Sequence, residues 1–178
     1  MNFFKSVAGF FLYIGSLVAP VSESSLDLRM LSPTAENLRV KSVFEFAWDD
    51  KSTDIVNSAI PVKIKYTMRA GGERQELYKI LRKAISESDF SVIDSIPNTA
   101  GTADGNVSVR TYPNIQLALR NFRQIEWEIP LSSERIDLTA EVEKSFVPSM
   151  NLYVDISPIF GGSKFVRKIS VGRERRGR

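Results

Sequence analysis

From Val62 to Arg69 apolar and polar residues alternate one for one, with Val62, Ile64, Tyr66 and Met68 on one side and Lys63, Lys65, Thr67 and Arg69 on the other. A period of two is that of a β-strand, so the stretch predicts one buried face and one wet, basic face. Gly71 and Gly72 then break the alternation, as glycines do where the backbone turns through positive φ. After them the period changes. Leu77, Ile80, Leu81, Ala84 and Ile85 follow the i, i+3, i+4, i+7, i+8 spacing of an amphipathic helix, predicted over residues 73–88. Glu73 and Glu76 in its first turn, with Lys79, Arg82 and Lys83 later, suit the helix dipole. Leu77, Leu81 and Ile85 are expected to be buried against a sheet.

The remaining pattern is a series of short alternating runs. Ser42, Phe44, Phe46 and Trp48 predict a first strand with an aromatic face, starting near Val40. Val107 to Tyr112, then Ile115, Leu117 and Leu119, then Ile125, Trp127, Ile129 and Leu131, predict further strands. Ile136 to Val142 and Met150 to Ile156 add two more, and the Pro, Ser and Asn residues between runs point to antiparallel connections. The expected fold class is α+β: an antiparallel sheet of about five strands with one main helix packed on one face. Residues 1–39 are read as an apolar N-terminal arm and linker, 40–160 as the α+β domain, and 161–178 as a basic C-terminal tail. One domain with flexible ends suits a chain of 178 residues.

Composition removes much of chemistry. The chain has no Cys and no His, which excludes disulfides, thiol nucleophiles and imidazole acid/base catalysis. Zinc ligation of the usual kinds goes with them. Asp49, Asp50 and Asp54 lack the glycine and terminal glutamate of a calcium loop, so they read as a polar turn. Glu126 and Glu128 share a predicted strand face but look like ordinary charges on a wet surface. Gly161-Gly162-Ser163-Lys164 lacks the spacing of a phosphate loop. No catalytic residue, cofactor or metal site is expected, and the chain reads as a non-enzyme.

Charge and the N-terminus point instead to surfaces. The net charge is +3, yet the last sixteen residues carry seven cations against Glu174, a net +6. Lys63, Lys65 and Arg69 on the strand, Lys79, Arg82 and Lys83 on the predicted helix, and Arg173, Arg175, Arg176 and Arg178 in the tail are candidate contacts to anionic lipid or nucleic acid. Solvated faces and a solubilising tail are the plainer alternative. Residues 1–22 hold no charge after Lys5. They read either as a signal peptide or as an apolar helix that lies on a membrane, docks on another copy or joins the core. In the arm reading Phe3, Phe4, Phe10, Phe11, Ile14 and Leu17 form its apolar face. Asn106-Val107-Ser108 is a formal glycosylation acceptor, which matters only for a secreted chain.

Two segments resemble the matrix proteins of rhabdoviruses, the rabies-like group above all. Glu76 to Phe90, ELYKILRKAISESDF, is similar to the family's helix after a strand and glycine turn, through Tyr78, Ile80, Leu81, Arg82, Asp89 and Phe90. Phe122 to Ser145, FRQIEWEIPLSSERIDLTAEVEKS, resembles the family's late strand pair. The resemblance implies a self-associating structural protein of the virion. It would lie beneath the envelope, in the host cytoplasm and on the inner face of host membranes. Its implied partners are anionic membrane lipid, the viral ribonucleoprotein with its nucleoprotein, further copies of itself and the viral glycoprotein, during assembly and budding. The rival reading is a secreted β-rich binding domain with a cleaved signal peptide.

Overall fold

The computed structural model describes residues 24–34, 36–83, 88–97, 105–147 and 151–171. Eleven strands in three sheets make up most of it. Strands β1 (Ser25–Pro33), β2 (Asn37–Glu45) and β7 (Gln124–Pro130) form a three-stranded antiparallel sheet in the order β1-β2-β7. A six-stranded antiparallel sheet has the order β11-β8-β3-β4-β5-β6. Its members are β3 (Val62–Ala70), β4 (Glu73–Lys83), β5 (Phe90–Ser95), β6 (Val107–Tyr112), β8 (Arg135–Glu143) and β11 (Lys164–Ser170). A small pair, β9 (Ser145–Val147) and β10 (Leu152–Val154), forms the third sheet and adds Val147 and Val154 to the core. The described residues also hold two eight-residue α-helices, α1 (Asp50–Asn57) and α2 (Ile115–Phe122), and a short 3-10 helix at Ser157–Phe160.

The expectation of an α+β fold with a five-stranded sheet and one main helix is therefore corrected. Residues 73–83 of the predicted helix are strand β4, paired on both sides, with β3 and with β5. The glycine pair is the reason. Ala70 pairs with Glu73, and Gly71 and Gly72 between them have φ of 58° and 84°. Two positive-φ central residues are what a type I′ hairpin requires, so the chain folds straight back instead of opening into a helix. Residues 84–87, with Ala84 and Ile85, lie outside the described residues. Leu77 and Leu81 are buried as expected, but from a strand.

Other expectations shift in the same way. Ile115, Leu117 and Leu119 belong to helix α2, capped by Asn114, whose side chain accepts the Leu117 backbone N–H at 3.0 Å. Ala118, Leu119 and Phe122 face inward at helical spacing, whereas Leu117 is exposed. The polar turn after Trp48 opens α1, where Asp49 Oδ1 accepts from the Ser52 N–H at 2.8 Å and the Ser52 hydroxyl at 2.7 Å. The stretch 22–39, read as a linker, holds β1 and the start of β2. The stretch 161–178, read as a tail, begins with β11 hydrogen-bonded along β8.

The core lies between the two larger sheets. Val62, Ile64, Tyr66 and Met68 from β3, with Ile136, Leu138 and Ala140 from β8, face Val40, Phe44, Trp127 and Ile129 of the smaller sheet. Phe44 stands 4.8 Å from Phe165 of β11, and Phe46 stands 4.9 Å from Phe160, between ring centroids, so an aromatic cluster joins the layers. Helix α2 lies against β4, β5 and β6 of the large sheet and also touches β7 of the smaller one.

Candidate functional site

The outer face of the six-stranded sheet is uncovered by either helix or by the smaller sheet. Pairing registers lay its side chains out in rows across the strands. One row reads Lys168, Asp137, Arg69, Arg74 across β11, β8, β3 and β4. The next is Val166, Thr139, Thr67, Glu76, and the third is Lys164, Glu141, Lys65, Tyr78. A fourth holds Glu143, Lys63 and Ile80. Rows follow one another at about 7 Å, two strand residues, and neighbouring strands are about 4.8 Å apart. With Arg82 and Arg135 the face has eight cations against the four carboxylates Glu76, Asp137, Glu141 and Glu143, a net +4.

Most of these charges are already paired. Lys63 Nζ lies 2.7 Å from Glu143 and Lys164 Nζ 2.7 Å from Glu141. Arg135 Nε meets Asp137 at 2.8 Å, and Glu76 is shared between Lys65, at 3.3 Å, and Arg74. Partial burial opposes the charge of Lys65, but the adjacent Tyr78 and Glu76 outweigh it and hold its pKa above the ordinary lysine value. Burial likewise pushes Glu76 up, yet Arg74 and Lys65 win and lower it. Lys63 Nζ also sits 4.4 Å from the Tyr78 ring centroid, over its face.

Arg69, Lys168 and Arg82 carry no ion pair among the described residues. Arg69 and Lys168 flank Asp137 on either side, and Asp137 is taken by Arg135. Between the first and third rows lies a shallow depression of about 330 Å³, lined by Arg69, Lys168, Lys65 and Lys164 with Thr67 and Thr139, and by the ion-paired carboxylates of Asp137 and Glu141. Such a surface offers cationic and neutral donors to anionic oxygens at regular spacing.

Lys63, Lys65, Arg69 and Arg82 thus share the open face, on two adjacent strands. Lys79 does not, and its assignment as a surface contact is corrected. In β4 it falls in the inward set with Leu77 and Leu81, and is 2% exposed. Its Nζ donates to the Asn121 carbonyl oxygen at 2.8 Å, at the C-terminal end of α2, and lies 3.2 Å from Asp94 Oδ1. Burial lowers its pKa, and Asp94 offsets part of that. Lys83 is also turned to the other side, donating to Asn57 Oδ1 at 3.1 Å over the Phe90 ring. Arg173, Arg175, Arg176 and Arg178, and Phe3, Phe4, Phe10, Phe11, Ile14 and Leu17, lie outside the described residues.

The sequence reading put Thr67 on the wet face without giving it a contact, left out Arg74, Thr139 and Arg135, and placed Lys164 and Lys168 in a tail. The glycine hairpin would have found Arg74, since it fixes the residue opposite Arg69. Lys164 and Lys168 stand at alternate positions with Val166 between them, a strand signal masked by the surrounding charge. Among the described residues no cluster of acidic side chains could hold a metal ion, and no helix is long and apolar enough to cross a membrane. Comparison with protein-family models, with curated proteins and with solved structures returned no match to this chain.

Proposed function

We propose that this chain is a non-catalytic binding module that attaches to an anionic surface through the open face of its six-stranded sheet. The observation that carries the reading is the row Lys168, Asp137, Arg69, Arg74, in which Arg69 and Lys168 flank an already neutralised carboxylate. Unpaired cations gain most from an anionic bilayer, about 1 kcal/mol each near the surface. The basic tail strengthens the same field.

The test uses the full chain with vesicles of phosphatidylserine and phosphatidylcholine. Arg69→Ser combined with Lys168→Ser should remove most of the extra binding to the acidic vesicles, whereas Lys63→Ser, at a site already ion-paired, should act weakly. Acidic-vesicle binding that ignores salt and survives the double change would sink the reading.

Two settings accommodate this module. In one it is a matrix-type protein, self-associating beneath a viral envelope and holding the ribonucleoprotein to the inner leaflet. In the other it is an exported β-rich binding domain. The sandwich of β-sheets favours the second setting, because the Glu76 to Phe90 segment behind the matrix resemblance begins as a strand and not a helix. N-terminal sequencing of the mature protein separates them: retention of Met1 or Asn2 supports the matrix setting, and a start near residue 20 to 25 supports export.

A further inference from the structure

Among the described residues strand β7 is an edge, pairing with β2 alone, and the hydrogen bonds at its two ends fix which of its backbone groups face that partner. Phe44 N–H donates to the Arg123 carbonyl at 2.9 Å, and Leu131 N–H donates to the Glu36 carbonyl at 3.1 Å. By the alternation of an antiparallel ladder, Ile125, Trp127 and Ile129 therefore point their N–H and C=O groups at β2, while Glu126 and Glu128 point theirs away. Gln75 Nε2 confirms the direction by donating to the Glu128 carbonyl at 2.7 Å. The N–H groups of Glu126 and Glu128 have no hydrogen-bond acceptor among the described residues.

The free edge opens onto a groove of about 740 Å³ rather than onto flat surface. Leu77 of β4, Ile96 and Pro97 after β5, and Ile125 and Trp127 of β7 give it an apolar lining, and Ile96 is half exposed. Among the described residues three strands face six, and beyond β7 no fourth strand of the smaller sheet covers this part of β4 and β5.

We propose that this groove receives an extended peptide segment of a partner protein, with apolar and basic residues in alternation, which adds to β7 as a fourth strand. The existing neighbour shows the required chemistry. β2 sets Leu38 and Val40 opposite Ile129 and Trp127, and Arg39 and Lys41 opposite Glu128 and Glu126. Of the two carboxylates, Glu126 is held by Arg39 Nη2 at 2.6 Å while Glu128 has no ion pair among the described residues, so Glu128 is the one free to meet a basic residue on the other side of β7, above an apolar groove floor. Pairing of β7 with its own copy is disfavoured, since antiparallel edges would bring Glu126 and Glu128 of both copies together. Main-chain bonds would supply affinity, and the alternate side chains the selectivity.

The test uses isotope-labelled full-length chain and two capped hexapeptides: Leu-Arg-Val-Lys-Ser-Val, which copies residues 38–43, and Leu-Glu-Val-Glu-Ser-Val. The first peptide should slow amide exchange at Glu126 and Glu128 at least tenfold at saturation, and the second should not. Glu126→Pro, which deletes an outward N–H on an edge strand, should abolish the protection of the Glu128 amide without loss of fold. Ile96→Asp, at an exposed position, gives the same test should the proline variant fail to fold. Three results would overturn the proposal: no protection at millimolar peptide, equal protection by both peptides, or loss of protection across β1 and β2, which marks strand exchange. Concentration-dependent dimerisation of the chain alone that is abolished by Ile96→Asp would assign the groove to a second copy and overturn it too.

Discussion

Lys79 Nζ reaches the Asn121 carbonyl oxygen from beneath helix α2, at 2.8 Å, so a side chain from the middle of the large sheet closes the end of a helix. The ammonium there is held at a cost, because burial lowers its pKa. The folded chain binds that proton less tightly than the unfolded chain does. Stability should therefore rise as pH climbs from the lowered folded value toward about 10.4, the ordinary lysine value. Lys79→Met should remove this alkaline rise, seen in denaturant midpoints followed upward toward about pH 10.4. Binding to acidic vesicles should be unaffected by the change.

Leu81 is fully buried, at 0% exposure, in the inward set of β4. Leu81→Ala should cost about 2 to 5 kcal/mol, as truncated core leucines do. A thermal melt that matches the unmodified chain would remove β4 from the core.

Gly71 tests the hairpin. Its φ is 58°, and an added Cβ would stand 2.8 Å from Ser133 Oγ and 3.3 Å from Pro130. Gly71→Ala should be destabilising by about 1 to 2 kcal/mol for the left-handed backbone alone. At Gly72 nothing lies within 4 Å of that position, so Gly72→Asn should be milder. Equal melting temperatures for the two variants would argue against the turn.

Asp49 caps helix α1, and the hydroxyl and N–H of Ser52 hold its carboxyl below the usual range. A depressed carboxylate contributes stability above its unfolded value, near 3.9, and loses it as pH falls through the lower folded value. Asp49→Ala should cost about 1 kcal/mol near neutral pH. The difference from the unmodified chain should shrink in acid, below about pH 4.

How far the chain can be read without coordinates depends on where charges are buried. The alternation of β3 and β8 was plain because every inward residue is apolar. In β4 the inward set is Leu77, Lys79, Leu81, and the buried lysine hides the period of two, leaving Leu77, Ile80, Leu81 to imitate a helix. In α2 the error runs the other way: exposed Leu117 imitates alternation, and only the Asn114 cap marks the helix start. Three of the face's cations, Lys63, Lys65 and Arg69, were legible from one strand. The rows were not, because register between distant strands is set by turns and core packing that no local pattern records.

The order β11-β8-β3-β4-β5-β6 has a temporal side. Arg69 and Lys168 come from strands more than half the chain apart, and they meet because β3 and β11 both pair with β8. Long-range pairings of this kind form slowly, since the loop they close must be ordered first. A chain that lost its C-terminal strand would lose Lys164 and Lys168 from these rows, so under the proposed function attachment to an acidic surface would report whether β11 is in place.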